Sequence, residues 1–246
     1  MNIAVDAVNK ESALENVMGF LQTGRRPHTV FAVNPEKTFS VPDDPVLHKV
    51  FTNADLLIPD GIGIVVAARL LYGTKLERVP GVEFMEEICN LAGTHDKKVF
   101  IYGSKEEVNK AAVEKLCARY PGLTISGRSH GYIPEEEMLD LIDRINRSRA
   151  EILFLALGSP KQERWFATYS KDLLHVRVCQ GIGGTLDTIA GNVRRAPKIW
   201  QKYHLEWLYR LLAEPKRLKR QKVLPVFGVR IIALKLRMLL GRCGPA

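Results

Sequence analysis

The segment "KKVFIYGSKEEVNKAAVEKLCARY", residues 97–120, contains the pattern that decides the fold of this chain. Its first part is a short apolar run that ends at Gly103, and its second part has the apolar spacing of a helix. A short apolar run that stops at a glycine is typical of a buried strand. The segment therefore predicts one β-strand followed by one α-helix.

The same strand-then-helix pattern recurs along the chain. Five more apolar runs end at turn residues: 28–33, 54–59, 123–127, 151–157 and 176–180. Segments of helical period follow some of them, as at 62–71 and 134–148. Strands that alternate with helices indicate a mainly parallel sheet, and strands that are apolar throughout indicate helices on both sheet faces. We predict a Rossmann-like α/β fold with a basic helical C-terminal appendage.

The charge of the chain is distributed unevenly. The net charge is +9, and residues 194–246 contain 14 Lys and Arg but only 2 acidic residues. Residues 1–193 contain 22 basic and 25 acidic residues. Such asymmetry indicates a segment that meets phosphate groups of nucleic acid, anionic lipid or a charged substrate. We therefore divide the chain into an α/β core, 1–193, and a basic appendage, 194–246, which we call the tail.

The cysteines and the hydropathy pattern indicate a reducing compartment. The four cysteines lie far apart and lack metal-site spacing, so we expect free thiols. The N-terminal residues do not read as a signal peptide, and no run reaches the roughly 20 apolar residues that a spanning helix needs. We expect a cytoplasmic protein.

Turn residues at the strand ends are the first candidates for a binding site, because open α/β sheets bind ligands beyond the carboxyl ends of their strands. Gly158, Gly183, Gly184 and Thr185 follow two of these strands, where backbone N–H groups can approach a phosphate. The chain contains neither a P-loop nor a complete dinucleotide fingerprint. The pattern predicts a phosphate-bearing ligand other than NAD or a P-loop nucleotide.

Three polar side chains near these turns suggest chemistry. Asp60 follows an apolar strand and could accept a proton from a sugar hydroxyl, or alternatively cap the next helix. Arg78 precedes a proline turn and suits a phosphate clamp or a surface salt bridge. Gln162 could hydrogen-bond a base or a sugar. The chain has no D-x-D element and no His/Cys cluster, so we predict neither a metal nor another cofactor.

Six segments together resemble one known family. In chain order they are "PDGIGIV", "ERVPG", "SHGY", "LGSPKQERW", "GIGGTLDTIAGNVRRAP" and "LEWLYRLLAEPKRLKRQ". They resemble the WecG/TagA/CpsF family of bacterial glycosyltransferases over nearly the whole chain. The resemblance implies an inverting, metal-independent enzyme of cell-wall or surface polysaccharide synthesis. Such an enzyme moves a sugar, here expected to be N-acetylmannosamine, from a UDP-sugar donor to an undecaprenyl-diphosphate-linked N-acetylglucosamine acceptor.

The resemblance also implies roles for individual residues. Asp60 matches the general base of the family. Asn34, Arg78, Tyr132 and Gln162 match residues of the donor or active-site pocket. Basic residues of the family's appendage, which complete the site at the membrane, match three arginines of this chain: Arg210, Arg217 and Arg220.

One position departs from the pattern of the teichoic-acid branch. Ala32 stands where that branch has a threonine, two residues before the asparagine. Two other donors of related enzymes, UDP-N-acetylmannosaminuronate and UDP-glucose, therefore stay open as alternatives.

The apolar run at 223–240 is interrupted by Arg230, Lys235 and Arg237. This pattern favours a helix that lies on the anionic inner face of the cell membrane over one that crosses it. An alternative is that the tail packs on the core or forms a contact in a homo-oligomer. A nucleic-acid-binding tail is a remote alternative, because aliphatic rather than stacking aromatic residues separate the charges. We expect no nucleic-acid partner.

Overall fold

The computed structural model describes residues 3–193, 196–203, 205–213 and 221–241. Within these ranges six strands form one sheet: β1 His28–Val33, β2 Leu56–Pro59, β3 Lys98–Gly103, β4 Thr124–Ser129, β5 Ile152–Ala156 and β6 Val178–Gly181. Their order is β2-β1-β6-β5-β3-β4, and every neighbouring pair is parallel. The predicted Rossmann-like α/β fold is confirmed.

Helices connect the strands and form the described parts of the tail. In chain order they are α1 Lys10–Thr23, α2 Lys37–Ser40, α3 Pro45–Thr52, α4 Ile62–Tyr72, α5 Gly81–Thr94, α6 Glu106–Arg119, α7 Met138–Ser148, α8 Lys161–Tyr169, α9 Thr185–Ala190, α10 Lys198–Lys202, α11 Glu206–Ala213 and α12 Val223–Leu239. Local signals set several of their ends. Asp44 accepts hydrogen bonds from the first turn of α3, and Gly73 ends α4 with a φ of +72°, a conformation that glycine adopts without strain.

Five of the strands are largely buried on both faces, as their apolar composition predicts, whereas the edge strand β4 is only partly buried. Along β3, Val99 and Ile101 belong to the core beneath α1, α5, α6 and α9, whereas Phe100 and Tyr102 belong to the core beneath α7 and α8. A third cluster extends the second face beneath α3, α4 and α12. Each fully buried Phe or Ile contributes about 1.5–3 kcal/mol, so the alternation stabilises both layers.

The amino edge of the sheet explains why β2 begins later than its apolar run. The Asp55 carboxylate accepts a hydrogen bond from the Thr29 N–H (2.9 Å) and contacts His28 Nδ1 (3.0 Å). Burial works to raise the pKa of Asp55, but these contacts and the nearby Arg26 together hold that pKa below its ordinary value. Asp55 thus joins β1 and β2 through its side chain rather than through the strand ladder.

The tail helix α12 packs against α4 of the core. Phe227 and Ile231 are buried in the same apolar cluster as Ile64 and Ala67. A methyl group added at Gly63 would lie 3.3 Å from the Phe227 ring, so the glycine permits this close approach. One face of α12 therefore packs on the core, and docking of the helix to a membrane stays a prediction. The proposed boundary near residue 194 lies beside residues outside the described ranges and stays a prediction.

Candidate active site

A cavity of about 1000 Å³ opens at the carboxyl ends of β1, β2 and β6. This volume is at the upper end of the range of about 300–1,000 Å³ found for small-molecule sites. Seven of the predicted site residues line it: Asn34, Asp60, Arg78, Gln162, Gly183, Gly184 and Thr185. The opposite wall comes from α4 and from the tail helices α11 and α12. The sheet edge and the tail therefore enclose one site.

Asp60 is held at the junction of three elements. Its backbone N–H donates to the Val33 carbonyl (3.1 Å), and its Oδ1 accepts from the N–H of Gly81, the first residue of α5 (3.1 Å). The helix-cap interpretation is wrong for α4, because Gly61 occupies the cap position there without a side-chain hydrogen bond. The first N–H of α5 instead fixes the position of the carboxylate. A half-buried carboxylate held in a cavity is suited to the role of general base.

Arg78 connects the sheet edge to the tail. Its Nε donates to the Asp60 carbonyl (2.7 Å), and its Nη2 lies 3.0 Å from Oε2 of Glu206 in α11. The two side chains are only 20% and 9% exposed, so this ion pair belongs to the cavity wall and not to the outer surface. Sequence analysis assigned no role to Glu206. Its sequence signal is that it is one of the two acidic residues in the tail.

Gln162 shapes the glycine-rich turn after β6. Its Oε1 accepts a hydrogen bond from the Gly183 N–H (3.0 Å). A Cβ at Gly181 would lie 2.4 Å from Gln162 Nε2, so this position requires glycine. Gly183 has a φ of +54°, and the Thr185 hydroxyl donates to the Ile182 carbonyl (2.6 Å). These contacts fix the turn, and phosphate binding by its N–H groups stays a prediction.

The cavity lining also contains a buried ion pair that the sequence did not predict. Lys37 Nζ lies 2.5 Å from Glu163 Oε1 and also contacts Ser159 Oγ. Both charged side chains are buried, and within the described ranges Glu163 Oε2 has no hydrogen-bond partner. A buried pair of this kind is costly to break, so it holds the start of α2 against the start of α8. The only signal in the sequence is a lysine four residues after a strand end, which is too common to single out.

Two other predicted residues lie outside the lining of this cavity. Tyr132 follows β4 on the far half of the sheet and is 68% exposed. Gly158, with a φ of +73°, accepts the Gln162 N–H through its carbonyl and so positions α8. A direct substrate contact by either residue stays a prediction.

The predicted acceptor-binding arginines lie in the least described part of the chain. The backbone of Arg210 belongs to α11, whereas Arg217 and Arg220 lie outside the described residues. Among the described residues, no three His, Cys, Asp or Glu side chains gather as a metal site. In those same ranges the structure contains no helix with the length and apolar character needed to cross a bilayer.

Comparison with known proteins identifies the family. The model of the Glycosyl transferase WecG/TagA/CpsF family matches residues 1–240. The chain belongs to this family. It is 34% identical over 203 residues to the N-acetylglucosaminyldiphosphoundecaprenol N-acetyl-beta-D-mannosaminyltransferase of Bacillus subtilis (strain 168), which covers 82% of this chain and 78% of the relative. The protein of the same name from Staphylococcus aureus (strain MRSA252) is 32% identical over 237 residues, 96% of this chain and 92% of the relative.

Family membership confirms the resemblance found in the sequence motifs and makes the protein a glycosyltransferase. That a sugar donor and a sugar acceptor meet in the cavity at the edge of the sheet stays a prediction.

Proposed function

We propose that this glycosyltransferase moves N-acetylmannosamine from UDP-N-acetylmannosamine to N-acetylglucosaminyl-diphospho-undecaprenol, with inversion at the anomeric carbon. The observation that carries the proposal is a single cavity in which Asp60 lies on a polar wall and the tail forms the facing wall. The names of the relatives supply the sugar and the acceptor.

In the proposed reaction Asp60 accepts the proton of the acceptor hydroxyl as its oxygen attacks the anomeric carbon of the donor. The bond between that carbon and the diphosphate breaks, and UDP leaves with the bonding electrons. Arg78 lies in the same wall as Asp60 and supplies positive charge to the departing diphosphate. We propose that Arg210, Arg217 and Arg220 likewise supply positive charge to the diphosphate of the donor and to that of the acceptor. Asn34 and Gln162 bind the donor.

We further propose that the enzyme works at the inner face of the cell membrane. Four apolar side chains form an exposed line on α12, which we call the outer stripe: Val229, Ile232, Leu236 and Leu239. Phe227 and Ile231, which are buried against the core, lie on the other side of the helix. Arg230, Lys235 and Arg237 add basic charge to this helix, and each contributes about 1 kcal/mol near an anionic surface. Such a helix lies in the plane of the interface.

A donor panel tests the proposed reaction. The acceptor is N-acetylglucosaminyl diphosphate carrying a farnesyl chain, and the donors are UDP-N-acetylmannosamine, UDP-N-acetylmannosaminuronate and UDP-glucose. We expect acceptor-dependent release of UDP, fastest with N-acetylmannosamine, and a disaccharide product of matching mass. The other two donors belong in the panel because Ala32 lines the cavity, where the side chain at this position can contact the donor sugar. Equal, acceptor-independent hydrolysis of all three donors would contradict the proposal.

A further inference from the structure

We propose that a groove between α4 and α12 binds the isoprenoid chain of the acceptor; this inference rests on the proposed function. The groove is an apolar part of the cavity lining. Its lining comes from two facing helices: Val66 and Leu70 on α4, and Leu224, Gly228 and Ile232 on α12. We call this set the α4–α12 groove.

The groove exposes apolar side chains that the packing of the fold does not need. Val66 is 55% exposed and Ile232 is 57% exposed, although both line a concave surface. The two helices are held together by other residues, including Phe227 and Ile231, which are buried. Exposed apolar surface in a concavity is typical of a ligand site.

The layout of the cavity matches one amphipathic occupant. The lining includes Asp60 and Arg78, which suit a sugar and a diphosphate, and also the apolar side chains of the groove. Asp60 lies just before the start of α4, whereas Val66 and Leu70 lie roughly 6 and 12 Å further along this helix. A UDP-sugar has no apolar part to place there, whereas a lipid-linked acceptor has a diphosphosugar head and a hydrocarbon chain. Ile232 belongs to both the groove and the outer stripe, so the groove opens at the face that we assign to the bilayer.

Gly228 gives the groove its width. A glycine inside a helix weakens that helix, so its presence calls for a reason. Close packing is not the reason, because a Cβ built at Gly228 meets no atom of the described residues within 4 Å. The missing side chain instead leaves open space in the lining of the groove. The geometry assigns Gly228 the role of admitting the chain of the acceptor.

The test fills the groove without disturbing the polar site. Gly228→Leu adds an apolar side chain to the lining of the groove. Val226→Leu is the matched control on the same helix, at an exposed position that belongs neither to the groove nor to the outer stripe. Each variant is assayed with farnesyl-diphosphate-linked N-acetylglucosamine and with the same diphosphosugar carrying only a methyl group. We expect Gly228→Leu to lower kcat/KM about tenfold or more for the farnesyl acceptor, because a buried chain loses several methylene contacts. The methyl acceptor and the control variant should show wild-type values.

A binding measurement tests the groove independently of the proposed reaction. In calorimetric titration without any donor, farnesyl diphosphate should bind the wild-type protein and bind Gly228→Leu about tenfold more weakly. This result would support the groove even if the donor panel failed. Equal affinity of both proteins for farnesyl diphosphate, or an equal loss of activity with both acceptors, would overturn the proposal. Val66→Phe narrows the groove from α4 and should also weaken the binding of farnesyl diphosphate. Because this residue is not in α12, the same result would show that the effect of Gly228→Leu does not come from a local rearrangement of α12.

Discussion

The cavity lining has two parts that are built in different ways. We call the part formed by the strand ends and the core residues beside them the sheet wall, and the part formed by α11 and α12 the tail wall. On the sheet wall, each functional side chain is held by a contact to another core element, as in the bonds from Asp60 to Gly81 and from Gln162 to Gly183. On the tail wall, most lining residues are apolar, and the polar connection to the sheet wall is the ion pair of Glu206 with Arg78.

This difference separates two tasks. Groups that perform chemistry must be held within a fraction of an ångström, and rigid strand ends provide that precision. A wall that admits a long lipid chain needs apolar surface and freedom to open. In the proposed reaction the core positions the general base, and the tail supplies further arginines and the apolar surface for the acceptor. The predictions below change the sheet wall, the tail wall, the ion pair that joins them, and the supply of divalent cations, in that order.

The largest effect is a loss of turnover, which we expect when Asp60 on the sheet wall is replaced. Asp60→Asn should lower turnover by about 10²–10⁴, the usual contribution of a positioned base, while UDP affinity stays near the wild-type value. The fold should persist because the asparagine Oδ1 can still accept the hydrogen bond from Gly81. Asp43→Asn, at an exposed position, is the control. Wild-type turnover in the Asp60 variant would remove this residue from the mechanism.

The sheet wall was also the more predictable one. The apolar runs located all six strands of the described sheet to within about two residues, because buried parallel strands must be apolar on both faces. The rule that ligands bind at the carboxyl ends of strands then selected Asn34, Asp60 and Gln162. It could not show that the cavity covers only part of this edge, which leaves Tyr132 outside its lining. The order of the strands decides that, and local sequence does not encode strand order.

The contacts between walls were not predictable. Lys37 and Glu163 are separated by 126 residues, and Arg78 and Glu206 by 128, so only the folded chain brings them together. The periodicity of α12 was visible in the sequence, but two of its faces are apolar. One packs on the core and the other is exposed, and the sequence alone does not distinguish them.

The second effect concerns the outer face of the tail wall. Leu239 on α12 and Leu139 on α7 are 70% and 69% exposed, so they form a matched pair. Leu239→Glu should weaken binding to anionic liposomes about tenfold or more, because it replaces an apolar contact with a charge of the wrong sign. Leu139→Glu should bind as the wild-type protein does. Sedimentation with liposomes measures both, and equal binding of the two variants would exclude the outer stripe as the docking face.

The third effect concerns the ion pair that joins the walls. Arg78→Gln should weaken UDP binding about tenfold, because a hydrogen bond to a charged group is lost. Glu206→Gln should strengthen UDP binding by a smaller factor, since it removes a negative charge beside the arginine. The same variant should make the tail more sensitive to limited proteolysis. Calorimetry measures both affinities, and a loss of UDP affinity in Glu206→Gln would show that the carboxylate positions Arg78 for the diphosphate instead of competing with it.

The smallest effect is expected from removal of metal ions. If arginines of both walls carry the charge of the leaving diphosphate, transfer needs no divalent cation, and the rate with excess EDTA should equal the untreated rate. Two observations support this expectation: the sequence has no D-x-D element, and within the described ranges no cluster of metal-ligating side chains forms. Released UDP is measured in wild-type protein and in Arg78→Gln, each with and without Mg²⁺. Mg²⁺ should change neither rate. If the wild-type protein lost activity in EDTA and recovered it on addition of Mg²⁺, a cation would share the role that we assign to the arginines. If Mg²⁺ rescued only Arg78→Gln, a metal ion would be able to replace this arginine without being required by the wild-type enzyme.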